Sequence, residues 1–228
     1  MTVLLEAAGL SRRFDGQGGP VLALDAVDLR LPAGLFVVIA GPSGCGKSTL
    51  LNLLGLLDRA STGCLSLDGA AVEALPSAAL AVLRREHVGF LFQDAGLIAR
   101  MSALDNVVLP LDYRGVPRAE ALVSATRALA RVGLGDRAGT SVDLLSGGER
   151  QRVALARVLA SEPRIVICDE PTASLDEANS GTVVEFLMQR ARAGALVVCA
   201  SHDPVVLAGA GLRIEMRRGR IVSTERSA

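Results

Sequence analysis

The segment from Leu35 to Ser48 limits the possible folds more than any other part of the chain. LFVVIA (Leu35 to Ala40) is a continuous apolar run suited to a buried strand, and Gly41-Pro42-Ser43-Gly44-Cys45-Gly46-Lys47-Ser48 follows it without a break. The residues after that, STLLNLLGLL, are apolar nearly all round, as in a buried helix. Strand, glycine-rich turn and helix in this order supply the context that the pattern G-x-x-x-x-G-K-[ST] requires. Glycines let backbone N–H groups converge on phosphate oxygens, and the helix N-terminus adds positive potential. Lys47 can reach β and γ phosphates, and Ser48 can ligate Mg²⁺. The other reading, a merely flexible glycine turn, leaves the flanking strand and helix unexplained. Lys47 is the chain's one lysine among 24 basic residues, so an arginine-biased chain reserves a compact, flexible point charge for this loop.

A chain of 228 residues can bury one substantial core, with room for an inserted subdomain. Val27, Leu29 and Leu31 alternate with Asp28 and Arg30 and predict a strand, and Cys64 to Leu67, ending in Asp68-Gly69, predicts another with its turn. Between Gln93 and about Glu162 the texture is helical. Ser102 can cap ALDNVVLPL, Pro117 can start a helix through Arg131, and Gly133 and Gly135 can stop it. From Arg164 a β and α pattern resumes: RIVICDE as a buried strand, a helix around Val183 to Arg192, then ALVVCAS as a further buried strand. Strands alternating with helices predict an α/β fold with a mainly parallel sheet and a ligand at the strands' carboxyl ends.

Composition removes several function classes. Net charge is zero, Trp is absent and there is one Tyr, so neither an electrostatic footprint nor a stacking platform for nucleic acid is present, and no nucleic-acid partner is expected. The longest stretch free of charge, Leu31 to Gly46, is broken by Pro32 and Pro42 and is too short and irregular to span a bilayer. MTVLLEAAGL has no basic region and meets Glu6 early, so it is not read as a signal peptide, and a cytoplasmic protein is expected. Cys45, Cys64, Cys168 and Cys199 lack the paired spacing of a zinc site and are read as reduced, small apolar fillers. His87 fits no motif and is taken as solvated.

Two further stretches carry chemistry. Ile165-Val-Ile-Cys-Asp169-Glu170 is an apolar strand that delivers two carboxylates at its end, as a Mg²⁺-bound nucleotide requires: Asp169 for the metal and Glu170 to orient or deprotonate an attacking water. Taken alone, such acids are a strand meeting solvent; the upstream phosphate loop gives them their meaning. Leu145-Ser146-Gly147-Gly148-Glu149 opens a helix and has the capping-box spacing S-x-x-E. Two glycines in a first helical turn are poor helix formers but permit close approach to an anion, so a second phosphate-binding helix end stands beside the capping reading.

GPSGCGKST, LSGGERQR, ICDEPTASLD and a lone His202 after an apolar strand resemble, in that order and at those separations, the ATP-binding cassette ATPases. The resemblance spans Gly41 to His202 and implies a P-loop NTPase (RecA-like) core, an N-terminal antiparallel β subdomain and an inserted α-helical subdomain, with 1–92 and 163–228 as core and 93–162 as insert. It places Gly41, Pro42, Ser43, Gly44, Cys45, Gly46, Lys47, Ser48 and Thr49 on the nucleotide, and Phe14 stacked on adenine. Gln93 becomes the Q-loop residue that senses Mg²⁺ and water and acts as hinge, so the metal set is Ser48, Gln93 and Asp169. Ser174, Leu175 and Asp176 become the D-loop, and His202 the switch histidine that contacts the γ-phosphate. The implied ligands are ATP and Mg²⁺. The implied partners are a second copy, whose Leu145 to Glu149 segment faces this chain's ATP in trans, and an integral membrane permease that holds the protein on the inner face of the cell membrane. GFLFQ, ALDNVVLPL and LSGGERQRVALAR look most like the lipoprotein-release and macrolide-export subfamily, whereas DAGLIAR after Gln93 departs from that subfamily's pattern. About 25 residues follow His202, too few for the regulatory domain of sugar importers. A P-loop kinase would have no use for LSGGE, and a stand-alone cassette protein acting on ribosomes or DNA would show a second cassette, a coiled-coil insertion or a basic surface.

Overall fold

Alternating strands near the start and continuous apolar runs further on build two kinds of sheet. The computed structural model describes residues 3–16, 19–173, 175 and 177–227. Strands β1 (Val3–Gly16) and β2 (Gly19–Pro32) pair antiparallel, and Val27, Leu29 and Leu31 turn inward as their alternation predicts. β3 (Phe36–Ala40) leads through the glycine loop into helix α1 (Lys47–Leu54), which ends three residues before the apolar run does because Gly55 takes over as its C-cap. β4 (Thr62–Leu67) and β5 (Ala70–Ala71) form a hairpin on Asp68 (φ 51°) and Gly69 (φ 78°), the two left-handed positions a tight hairpin turn needs. The order β2-β1-β4-β5 completes this antiparallel sheet.

Helix α2 (Ser77–His87) has little sequence signature: Leu80 is its one fully buried residue, so no apolar stripe marks it. His87, at its end, is half-buried rather than solvated. β6 (Val88–Leu91) then enters the second sheet, followed by helices α3 (Ala103–Tyr113), α4 (Arg118–Arg131) and α5 (Gly147–Ser161), which pack on one another as a helical insert. Ser102 caps α3 by accepting a hydrogen bond from Asp105 N at 3.0 Å, and Pro117 stands at the N-cap of α4. The chain returns through β7 (Ile165–Asp169), α6 (Glu177–Arg192), β8 (Leu196–Ala200), the short α7 (Pro204–Ala208) and a terminal hairpin of β9 (Leu212–Arg217) and β10 (Arg220–Arg226).

The second sheet runs β10-β9-β3-β8-β7-β6, parallel throughout except for the antiparallel edge strand β10. Its central strands read as unbroken apolar runs because both faces are covered. Phe36, Val38, Val166, Cys168, Val197 and Cys199 face the core shared with α3 to α6. Val37, Ile39, Ile165, Ile167, Leu196 and Val198 face the core shared with α1 and the antiparallel sheet. Each fully buried aliphatic side chain here contributes about 1.5–3 kcal/mol. Cys45, Cys168 and Cys199 are buried as expected of apolar fillers, and burial pushes the Cys199 thiol well up. Cys64 departs from that expectation: it is exposed, with Sγ 3.4 Å from Glu73 Oε2, a contact that raises its thiol.

Candidate active site

Four adjacent parallel strands, β3, β8, β7 and β6, deliver the predicted residues at their carboxyl ends: the loop Gly41–Gly46 after β3, His202 after β8, Asp169 and Glu170 at the end of β7, and Gln93 after β6. One edge of one sheet thus gathers motifs separated by 161 positions of sequence, 202 minus 41.

Gly41 (φ 147°) and Gly46 (φ 107°) hold the loop in backbone conformations that a side chain disfavours. A Cβ at Gly46 would lie 2.5 Å from Ala23 O, and one at Gly41 would lie 2.8 Å from Cys45 Sγ. Gly46 is also the N-cap of α1. Among the described residues, no side chain caps that helix and no acid occupies its first turn, so its free N–H groups stay available to an anion. Lys47 folds back over the loop, donating to Gly41 O at 2.7 Å and Pro42 O at 3.2 Å. The cleft beside it is lined by Val21, Leu22 and Ala23 of β2, by Gly44, Gly46, Lys47, Ser48 and Thr49, and by Arg218 and Gly219 of the terminal hairpin. Gly219 N donates to Cys45 O at 2.9 Å, which ties that hairpin to the loop. Phe14 does not line this cleft. It pairs with Val21 across the β1–β2 hairpin, is 41% exposed, and carries the Arg12 guanidinium 4.5 Å from its ring centroid.

Glu170 sits one residue beyond β7 with φ 46°, left-handed for a residue that is not glycine. Its carboxylate is fixed from both sides: Oε1 lies 2.9 Å from His202 Nδ1, and Oε2 accepts from Ser201 Oγ at 3.3 Å. His202 is otherwise open to solvent, which suits a side chain that reaches a ligand. Asp203 caps α7 through Val205 N at 2.8 Å and accepts from Thr172 Oγ1 at 2.6 Å. Thr172 falls inside ICDEPTASLD and Ser201 and Asp203 flank His202, but nothing in the sequence marks any of the three as a support for the site. Asp169 and Ser48 are an oxygen donor set suited to Mg²⁺. Among the described residues no three acids, histidines or cysteines cluster to hold a metal.

Gln93 is exposed in the turn after β6. The loop behind it is gripped by Arg157 of α5, whose guanidinium donates to Ala95 O at 3.0 Å and Gly96 O at 2.8 Å; burial lowers this guanidinium's pKa. Gln151, also on α5 and 1% exposed, donates from Nε2 to Phe92 O at 3.2 Å and to Pro171 O at 3.0 Å.

Leu145 is buried, whereas Ser146 and Gly147 face solvent outside the cleft around Lys47. The capping reading of this segment holds. The capping box is complete, with Ser146 Oγ accepting from Glu149 N at 3.2 Å and Glu149 Oε2 accepting from Ser146 N at 2.9 Å, and the backbone bond holds the Glu149 carboxyl below its usual range. Gly147 is exposed and Gly148 half-buried. Of the D-loop residues, Leu175 packs on the helical core, with Cδ2 3.4 Å from where a Cβ on Gly148 would stand; Ser174 and Asp176 lie outside the described residues.

A sequence model of the family described as ABC transporter matches residues 24–173. The chain belongs to the ABC transporter family. Its fold and motif order are those of the family's ATP-hydrolysing cassette. The macrolide export ATP-binding/permease protein MacB of Rhodospirillum rubrum is 44% identical over 219 residues, 96% of this chain and 34% of the relative. A MacB of Paracoccus denitrificans is 42% identical over 224 residues, again 34% of its own length. The chain therefore spans about a third of these relatives. Among solved structures, the ATP-binding cassette MJ0796, dimeric in a post-hydrolysis state with ADP and Pi, superposes with a TM-score of 0.91 at 32% identity, covering 98% of both chains. CbiO1 of Clostridium perfringens, part of the cbiONQ transporter complex, gives 0.85 at 26% identity over 99% of this chain and 89% of its own.

Proposed function

We propose that two copies of this chain close head to tail around two ATP molecules and that closure and hydrolysis drive an export-type membrane permease. The observation that carries this reading is the division of the site: the glycine loop, Glu170 and His202 share one sheet edge, while Ser146 and Gly147 open to solvent away from it. A phosphate held by α1 of one copy needs a second helix end, and the solvent-facing N-terminus of α5 in the other copy supplies it. In this reading 93–162 moves as a unit against a core of 1–92 and 163–228. The groove of Phe90, Phe92, Pro110 and Arg157 between the two offers the permease its contact. The names of the MacB relatives, which pair ATP binding with a permease, support export as the direction. No helix of the described residues is long and apolar enough to cross a membrane; in the proposed reading the permease holds the chain on the inner membrane face, as the names of the MacB relatives support.

Lys47 and the α1 amides hold β and γ phosphates, Thr49 borders the phosphate cleft, and the part-exposed ring of Phe14, paired with the cleft residue Val21, stacks on adenine. Ser48, Asp169 and Gln93 would hold Mg²⁺, which supplies charge neutralisation on the phosphate oxygens. Glu170 takes a proton from the attacking water at a carboxylate oxygen, and His202, hydrogen-bonded to that carboxylate, keeps it aimed. Glu170→Gln removes the base while keeping size and the loop intact. The variant should bind ATP with unchanged affinity, hydrolyse it at least 100-fold more slowly, in the range of lost acid–base catalysis, and elute as an ATP-dependent dimer on size-exclusion chromatography. Hydrolysis at the wild-type rate would sink the assignment.

A further inference from the structure

We infer that Gln151 is a positioning residue that locks Glu170 into its working geometry and makes that geometry depend on the signature helix. Gln151 lies two residues beyond Glu149, in the second turn of α5, and is almost wholly buried. Its single amide nitrogen spends both hydrogens on backbone carbonyls of two catalytic loops: Phe92 O, one residue before Gln93, and Pro171 O, one residue after Glu170. Both acceptors are carbonyls and neither can donate, so the nitrogen and not the oxygen of the side chain must face them.

The reason such a clamp is needed lies at Glu170. A residue other than glycine at φ 46° is strained, and strained backbone persists only where its surroundings over-determine it. Upstream, Glu170 N is tied to Ala200 O at 2.9 Å; downstream, Thr172 is tied to Asp203 at 2.6 Å. The peptide between these anchors is held by Gln151, from a different element. A shift of α5 against the sheet loosens the Glu170 loop and the Gln93 loop together, because one nitrogen serves both. Docking of Ser146 and Gly147 on a partner's nucleotide would fix α5, and through Gln151 it would fix this chain's own water-activating carboxylate. The inference rests on the proposed role of Glu170 as base.

Gln151→Met keeps length and apolar fill but removes both donors; Gln151→Asn keeps the amide but shortens its reach. Each is read as folded protein, checked by circular dichroism, for ATP affinity and for turnover at saturating ATP, alone and combined with Glu170→Gln. The expected result is a loss of turnover of at least tenfold with ATP affinity within twofold of wild type, and less than twofold further loss in the Glu170→Gln background, where there is no base left to position. Turnover within twofold of wild type overturns the proposal, as does an equal fold-loss in both backgrounds or failure of both variants to fold, which would assign Gln151 to fold integrity. Wild-type turnover by Glu170→Gln alone would instead remove the base assignment beneath it.

Discussion

Two glycines of the phosphate loop make a controlled pair. Gly44 (φ 74°) and Gly46 (φ 107°) both occupy backbone that a side chain disfavours, but a Cβ at Gly44 meets nothing within 4 Å, whereas one at Gly46 lies 2.5 Å from Ala23 O and 3.1 Å from Leu24 Cδ2. Leu24 is fully buried and Ala23 O belongs to β2, so neither can swing aside. Gly44→Ala should therefore cost about 1–2 kcal/mol, the left-handed penalty of an L-residue. Gly46→Ala adds about 1–3 kcal/mol of overpacking to a similar penalty. The unfolded-state effect of replacing Gly by Ala is common to both and cancels in the comparison. At roughly 2–4 °C per kcal/mol for a chain of this size, Gly44→Ala should melt about 4 °C below wild type and Gly46→Ala about 10 °C below it. Thermal denaturation of nucleotide-free protein, followed by circular dichroism or calorimetry, reads the difference directly. Melting of the two variants within a degree or two of each other would refute the argument that packing against β2, rather than φ alone, demands glycine at the N-cap of α1.

The other expectations are smaller but as specific. Ser146→Ala removes the cap of α5 and should cost about 1 kcal/mol, a drop of roughly 2–4 °C; the proposed contact of this hydroxyl with a partner's nucleotide predicts a further, at least tenfold, fall in steady-state ATPase, and an activity loss no larger than the loss of folded protein would leave Ser146 with capping alone. Arg164 donates to both oxygens of Asp68 at 2.6 and 3.0 Å and holds that carboxyl below its ordinary 3.8. The folded state then binds fewer protons than the unfolded, so this stabilisation is fully present above pH 3.8 and is lost as pH falls through the lower folded value. Asp68→Asn, which keeps a residue tolerant of the left-handed turn, should melt slightly below wild type near neutral pH and converge with it in strong acid; a gap that persists at about pH 2 would show that the loss is not one of charge.

The two parts of the molecule were not equally legible. β3, β7 and β8 could be read as soon as their apolar runs were seen, because a strand buried on both faces has no room for polar residues. α2 could not, because a helix with one buried residue has no stripe, and the terminal hairpin β9–β10 offered no motif despite bolting Gly219 to the phosphate loop. Gln151 stood in plain view within LSGGERQR, yet nothing local distinguishes a helical glutamine that joins two loops from one that meets water.

The sequence by itself determined which chemistries this chain can supply: a glycine-rich helix start with its lysine, two carboxylates at the end of a strand, and a capped glycine pair at the start of another helix. Those follow from residue types at short spacing, where backbone geometry fixes what is near what. Only the tertiary structure decided that Glu170 is left-handed and gripped by His202, Ser201 and, through Pro171, Gln151, and that Phe14 stands one strand away from the cleft. The strand order β3-β8-β7-β6 sets those neighbours, and pairing between strands far apart in the chain is a property of the packed sheet, which no local spacing encodes.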